Sequence, residues 1–515
     1  MNMQKQHFLG CIGLLLAAIY VLAIGCSKAD ASVNASGNNG SETNALKDAT
    51  QKNPGYLSNI LMDKITYDSV LYELAHSTEA QALINNEVTV KAKQAKTETP
   101  TPVQSVKTSS AAQATASTDG SRTLALALQW FFFQKASDAK TYLDKAKDFL
   151  MAWAAVNVAS DHTPAETSML DFYKAYSIIR SQIDASSRST IDHWFVQKYN
   201  YFKTLSQRNN NWETIKNLYL LHIAFMLNDA ARITEAKNSF TRHHDKEFRL
   251  DGASVDFLAR DAFAYQAYDL QFVGQALRTL YIYEGRNVVN GWVNHRSANW
   301  VIPVRTPSQE QAVNPEFFQP ASYSGGPVTG GSLADAIAFM KPYMLDTVHY
   351  KHLEFYYTEW TGDFTRSDYK KQLNPNSIVY ALHEVMAVMR DEIRAIMTAM
   401  NPGYSRYKNG LAHYLNSFGV PGTKQGPPMA ILAGEVGYLG WTKQLPAGSY
   451  TLANLQSIGV STDQLSSITV PAGCKITLYD GGNFDGSSLV LQKNAIDLGK
   501  FNFNDKMSSL KVERM

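Results

Sequence analysis

Residues 258–283 read LARDAFAYQAYDLQFVGQALRTLYIY, and this stretch decides how the rest of the chain is read. Phe263, Ala267, Leu270, Val273, Leu277 and Leu280 recur at three- and four-residue spacing, the period of one helix face. The same period marks Ile60 to about Asn86, Leu124 to Phe133, Ala139 to Ala155, Ser168 to Ile183 and Ser189 to Leu205. It continues through Thr214 to Leu227, Gly331 to Met344 and Ser377 to Met400, with Asn, Asp, Gly, Ser and Pro in the turns. So many amphipathic helices in succession predict paired helices that close into an α/α toroid or stack as a solenoid. Residues 92–120, rich in Thr, Ser, Ala and Lys and holding two prolines, read as a low-complexity loop within that domain, with disorder favoured on composition.

Composition narrows the function classes. The 515 residues are 45% hydrophobic and 11% aromatic, enough for a large core, so global disorder is excluded. Lys and Arg number 48 against 46 acidic residues, a formal charge of +2, which offers no electrostatic case for a nucleic-acid partner. An acidic substrate remains open, because a local cleft can be basic on a neutral protein. No phosphate-binding loop, dinucleotide fingerprint or Gly-x-Ser-x-Gly elbow is present. His383-Glu384 opens like a zinc-protease helix, but the second histidine position is Ala387.

The ends carry different signals. Phe8 to Gly25 is an apolar run after Lys5 that ends in Leu22, Ala23, Ile24, Gly25 and Cys26. Small residues before a cysteine resemble a bacterial lipobox, so residues 1–25 are expected to be a signal peptide and Cys26 the lipidated first residue; the alternative is an uncleaved anchor. Ser27 after it favours the outer membrane, and 26–55 reads as a flexible tether. Export leaves Cys474 as the one other thiol, so no intramolecular disulfide is expected. After Gly419, short β-branched runs at 468–470, 476–479, 488–491 and 510–512 predict a small all-β domain over about 428–515, which sets 56–420 apart as the helical domain.

Within that β domain, Tyr479 to Gly486 has the aromatic-x4-aromatic-x-Gly pattern and resembles a βγ-crystallin Greek-key hairpin. Tyr438-Leu439-Gly440 resembles a degenerate partner, with Ala433 at the first aromatic position. Each precedes a motif like the calcium clamps of that family: Asn504 to Ser509 in full, and Thr462 to Ser467 at all but its first position. The resemblance implies Ca²⁺ held by Asp463, Ser466, Asp505 and Ser508, since calcium takes several hard oxygens.

In the helical domain, Asn209-Asn210-Asn211-Trp212, the stretch Asp251 to Leu270, and Gly331 to Tyr343 resemble the alginate lyase superfamily of α/α-toroid polysaccharide lyases, typified by polysaccharide lyase family 5. The resemblance covers about 120–400. It implies β-elimination at a uronic acid, with the C6 carboxylate neutralised and the C5 proton taken by a base. Asn211 matches the neutralising asparagine and Tyr268 the tyrosine that serves as base and acid. The family histidine after that asparagine is replaced by Trp212. The family arginine position, seven before the tyrosine, is Asp261, leaving Arg260 one step back. His295 is the candidate replacement histidine, and Asn210, Trp212, Tyr265, His162 and Arg296 are candidate substrate contacts. Alginate, preferably mannuronate-rich, is the first expected substrate and a glucuronate polymer the second. A glycoside hydrolase using Asp256, Asp261 or Glu213, and a glycan-binding lipoprotein without catalysis, are the rivals.

Overall fold

Helix starts in this chain are fixed by side chains that accept a hydrogen bond from the next turn. Asp63 accepts from the Thr66 N–H, Ser109 from Ala112, Asp184 from Ser187 and Asp229 from Arg232. Ser332 and Asp335 form a reciprocal capping box. The computed structural model describes residues 56–259, 262–296, 300, 328–345, 374–422, 429–471 and 473–515. The expected signal segment, tether, Cys26 and Arg260 lie outside them.

The helices that build the first domain are α1 (Lys64–His76), α2 (Ser110–Phe132), α3 (Ala139–Val156), α4 (Leu170–Ile179), α5 (Ala185–Phe202), α6 (Asn211–Leu227) and α7 (Ala230–Glu247). They continue with α8 (Val255–Ala259), α9 (Ala262–Glu284), α10 (Arg286–Val293), α11 (Leu333–Met344), α12 (Tyr380–Val385) and α13 (Arg390–Met400). Helices α2, α4, α6, α9 and α12 pack each on the next, while α3 lies against α2, α5 and α7 against α6, and α10 against α9. An inner ring of alternate helices with outer helices on its back is an incomplete α/α toroid.

Burial follows this plan. In α6, 15 of 17 residues are buried, as an inner helix with neighbours on all sides requires. Outer helix α7 buries only Ala236, Phe240, His243, His244 and Glu247, one stripe. Gly274 lets α9 and α12 touch backbone to backbone: a Cβ there would lie 2.8 Å from the Glu384 carbonyl carbon.

Two expectations change. Residues 92–120 are not a continuous loop, for a helix runs to Ala95 and α2 begins at Ser110. Alanine has the best helix propensity, and Ser109 supplies the cap. Small residues also suit the packing, because Ala112, Ala116 and Gly120 are buried where larger ones would not fit. Asp119, fully buried, fixes the loop that remains: it accepts from the Thr101 N–H at 2.7 Å and the Trp153 indole at 3.0 Å. The run Ser377 to Met400 is two helices, α12 and α13, separated by buried turns at Met386–Met389.

The second domain has strands β1 (Met429–Glu435), β2 (Leu439–Pro446), β3 (Gly448–Tyr450), β4 (Ser467–Thr469), β5 (Cys474–Tyr479), β6 (Ser488–Leu491) and β7 (Ser509–Arg514). They form sheets in the orders β2-β1-β4 and β3-β7-β5-β6, all pairs antiparallel. Strand β3 leaves the first half to pair with β7 of the second, and Ala495 returns the exchange by bridging to Ile468 of β4.

The halves repeat one device. Phe484 and Tyr438 both have positive φ, 65° and 64°, and each is followed two residues later by a glycine at φ 76°. Ser509 accepts from the Phe484 N–H at 3.0 Å and donates to the Gly481 carbonyl at 2.6 Å. Ser467 does the same for Tyr438 at 2.9 Å and the Glu435 carbonyl at 2.6 Å. The last serine of each expected clamp motif thus pins a folded hairpin, and the left-handed backbone is held by that bond.

Candidate active site

The inner helices α6 and α9 begin at the same end of the toroid, and the expected reacting residues sit there. Asn210 caps α6, its side-chain oxygen accepting from the Trp212 N–H at 3.3 Å. Asn211 opens the helix and is 3% exposed. Its N–H donates to Asp256 Oδ2 at 2.6 Å, so an acid on α8 closes the positive end of α6 across 45 positions of sequence. Glu213 is similarly engaged, accepting from the Arg208 N–H and pairing with Lys216 at 2.8 Å. Of the three acids available to a hydrolase, Asp256 and Glu213 therefore hold structure, and Asp261 lies outside the described residues.

Tyr268 lies on α9 between Tyr265, at 6.4 Å, and Phe272, at 5.0 Å, both edge-on. Its hydroxyl is buried with no group at full hydrogen-bonding geometry. Burial pushes the phenol above its usual pKa; nearby Tyr265, Asp256 and Asp269 add to this and the Thr167 hydroxyl opposes it. Tyr219, one of α6's buried faces, donates to the Thr163 carbonyl at 2.9 Å and ties the 163–166 turn to the same end.

Trp212 is held between two other groups. The His162 ring lies 4.9 Å away and the Arg208 guanidinium stands 4.3 Å over the indole, while Thr163 donates to the Trp212 carbonyl. His162 Nδ1 accepts from the Ala165 N–H, and burial lowers its pKa, favouring the neutral ring. A histidine thus stands beside the tryptophan that occupies the histidine position of the resemblance.

His295 and Arg296 are placed differently. His295 Nε2 contacts Asp245 on α7 and its ring stacks 6.0 Å from His244. Arg296 makes a two-toothed pair with Asp335 at 2.8 and 2.6 Å. His295 is thereby held to outer helix α7 and Arg296 to α11.

Sequence reasoning did not foresee the buried acids beneath Tyr268. Glu247 and Asp269 are 2% and 1% exposed and face each other. Burial raises Glu247 to about 7 and Asp269 well above the ordinary carboxylate range, with Glu247's charge adding to the latter. His244 Nδ1 lies 3.2 Å from Glu247 Oε2. Adjacency of Tyr268 and Asp269 was visible, but Glu247 comes from another helix.

In the β domain the two expected calcium motifs interlock: Ser466 of the first donates to Asp505 of the second at 3.5 Å. Asp505 has φ 53°, and the Asn504 side-chain oxygen beside it is buried without a hydrogen-bond partner. Oxygens of this kind fit a hard cation. Among the described residues no group of three or more His, Cys, Asp or Glu is arranged for a metal.

The sequence model of the alginate lyase family matches residues 37–303, more than half of the chain. The chain belongs to the alginate lyase family. Its helical toroid is that family's fold. The C-terminal strands form a βγ-crystallin domain. Development-specific protein S of Myxococcus xanthus is 40% identical over 68 residues, which are 13% of this chain and 38% of that protein. A homolog of it from the same organism is 35% identical over 68 residues, and the chain spans well under half the length of either curated relative. Among solved structures, a βγ-crystallin domain from Flavobacterium johnsoniae is 34% identical, with 16% of this chain and 93% of that one covered and a TM-score of 0.16. The N-terminal domain of protein S is 31% identical, with 17% and 97% covered and the same TM-score of 0.16.

Proposed function

We propose that this lyase depolymerises a uronate polysaccharide, mannuronate-rich alginate first, by β-elimination with Tyr268 as base and acid. The observation that carries the reading is a buried Tyr268 hydroxyl that no described group meets at full hydrogen-bonding geometry, at the end of the toroid where Asn211 opens α6. The Asn211 amide donates to the C6 carboxylate, which makes the C5 proton acidic. The Tyr268 phenolate takes that proton, the C4–O4 bond breaks, and a C4–C5 double bond forms. The phenol then returns the proton to O4, so the enzyme ends as it began. In β-linked mannuronate the proton and the leaving oxygen share a face, which is why one tyrosine suffices.

Burial keeps the phenol protonated in the free site, so a cation must lower its pKa when substrate is bound. Arg260, one position before that of the family arginine, is assigned to neutralise the C6 carboxylate with Asn211, and its charge also favours the phenolate. Trp212, with His162 and Arg208 around it, is assigned to stack on a sugar ring.

The test is ultraviolet absorbance of the unsaturated product on polymannuronate, polyguluronate and glucuronan. A rise on polymannuronate that vanishes in Tyr268→Phe is expected, and Asn211→Ala should lower kcat about 100-fold, as loss of one charge-stabilising donor does. New reducing ends without absorbance would replace elimination by hydrolysis, and neither product would leave a glycan-binding protein.

The remaining readings concern placement and stability. Cys26 is proposed as a lipid anchor to the outer membrane, testable by labelled palmitate in wild type against Cys26→Ser. Ca²⁺ is proposed to bind the crystallin motifs and stabilise that domain, with no role in the elimination.

A further inference from the structure

The turn between Phe248 and Ser254 joins three parts of the molecule. The two ends of the turn bridge as in a short hairpin, and Gly252 at φ 94° lies so close to α11 that a Cβ would meet the Asp335 carbonyl at 2.2 Å. Gln266 of α9, fully buried and two positions before Tyr268, donates to the Gly252 carbonyl at 3.1 Å and accepts from the Ser254 N–H at 3.0 Å. Ser254 caps α8 by accepting from the Phe257 N–H, and Asp256 of that helix holds the Asn211 N–H.

The outer side of the same turn is covered by the crystallin domain. Leu250 forms a buried cluster with Ile431, Ala433, Tyr438 and Ile496, each no more than 4% exposed. Arg249, 1% exposed and paired in two-toothed fashion with Asp251 at 2.8 Å, stands 5.3 Å over the Tyr438 ring. A buried guanidinium needs both its carboxylate and a polarisable cover, and the second comes from another domain. Leu439, next to Tyr438, joins the core of the helical domain.

We propose that Tyr438 and Ile496 of the crystallin domain are positioning residues of the lyase site, holding the 248–256 segment so that Asn211 stays in register with Tyr268. The proposal rests on the reading of those two as the reacting residues. Tyr438 acts through Arg249 and the turn, at no point touching substrate.

Hydrogen exchange of residues 248–256 is the deciding measurement, made on the full chain as wild type, Tyr438→Phe, Tyr438→Ala and Ile496→Ala. Exchange there should quicken about tenfold in both alanine variants and stay at the wild-type rate in Tyr438→Phe, which keeps the ring. On polymannuronate the same two variants should lose kcat with KM unchanged, since the carboxylate contact of Asn211 matters most in the transition state. Protected crystallin amides in the same data establish that each variant has folded, and Ile496→Ala decides should Tyr438→Ala fail to. Unchanged exchange at 248–256 in a folded alanine variant overturns the proposal, as does faster exchange with kcat intact. A wild type inactive on every polymer would sink the reaction assigned to Asn211 and Tyr268, while the exchange rates would still judge the clamp.

Discussion

Glu247 and Asp269 place two carboxyls in a dry site, and burial favours their neutral forms. Glu247, raised to about 7, binds a proton in the folded protein that an unfolded chain would release near an ordinary carboxylate pKa. Its contribution to stability is therefore complete at acid pH and is lost as pH rises through about 7. Glu247→Gln should melt with wild type at about pH 4.5 and above it beyond pH 7, by a few kcal/mol, in thermal unfolding followed against pH. A wild type that gains stability across that interval, relative to the variant, would contradict this. Tyr268 has the same cause acting on a phenol, so kcat/KM should climb on the alkaline side, and a rate that falls there would contradict its role as base. At this scale Asn211 and Tyr268 were legible because short motifs carry them. Asp256 as the partner of Asn211, and Glu247 as the partner of Asp269, were not, because each pair joins different helices and no local pattern records a contact across 45 or 22 positions.

Helix α2 shows how an element can be misread from composition. Its first nine residues are Ser, Ala, Thr and Gln, with none of the large apolar residues that usually announce a helix. What the pattern hides is a face of small residues that brings α2 against α4, where a Cβ on Gly120 would stand 3.4 Å from the Phe172 ring. Asp119 then connects this face to the preceding loop and to Trp153 of α3. Asp119→Ala leaves the Trp153 indole buried without an acceptor and frees the Thr101 N–H, and should cost about 2 kcal/mol in denaturant unfolding, with Asp119→Asn recovering part of it. The periodic helices α6 and α9 were readable because their large apolar residues repeat. Strands β1 and β2 escaped because the bulge between Ala433 and Glu435 interrupts their alternation, and β3 because its three residues find their partner in the other half of the domain.

Over the whole molecule, two domains of unlike grammar were evident in the sequence, whereas their contact was not. The exchange of β3 and the bridge at Ala495 bind the halves of the crystallin domain into one unit, so it should unfold in a single step. Calcium at a hundredfold excess over its dissociation constant should add about 2.7 kcal/mol to that step, and chelation should remove it. Because Ser466 meets Asp505 across the motifs, Asp505→Ala should abolish more of the shift than alanine at a residue of one motif alone would suggest. A melting temperature indifferent to calcium would end the metal reading.

Leu250 and Ile431 touch although 181 positions of chain separate them. A ribosome working at about 5–20 residues per second makes the turn at 248–254 roughly 10–35 seconds before the strand that covers it. During that interval the inner helices α9 and α12 are still being made, and Arg249 lacks its cover from Tyr438. The proposed latch is thus made long after the turn it covers, and the segment that holds Asn211 gains its cover only once Ile496 has been made.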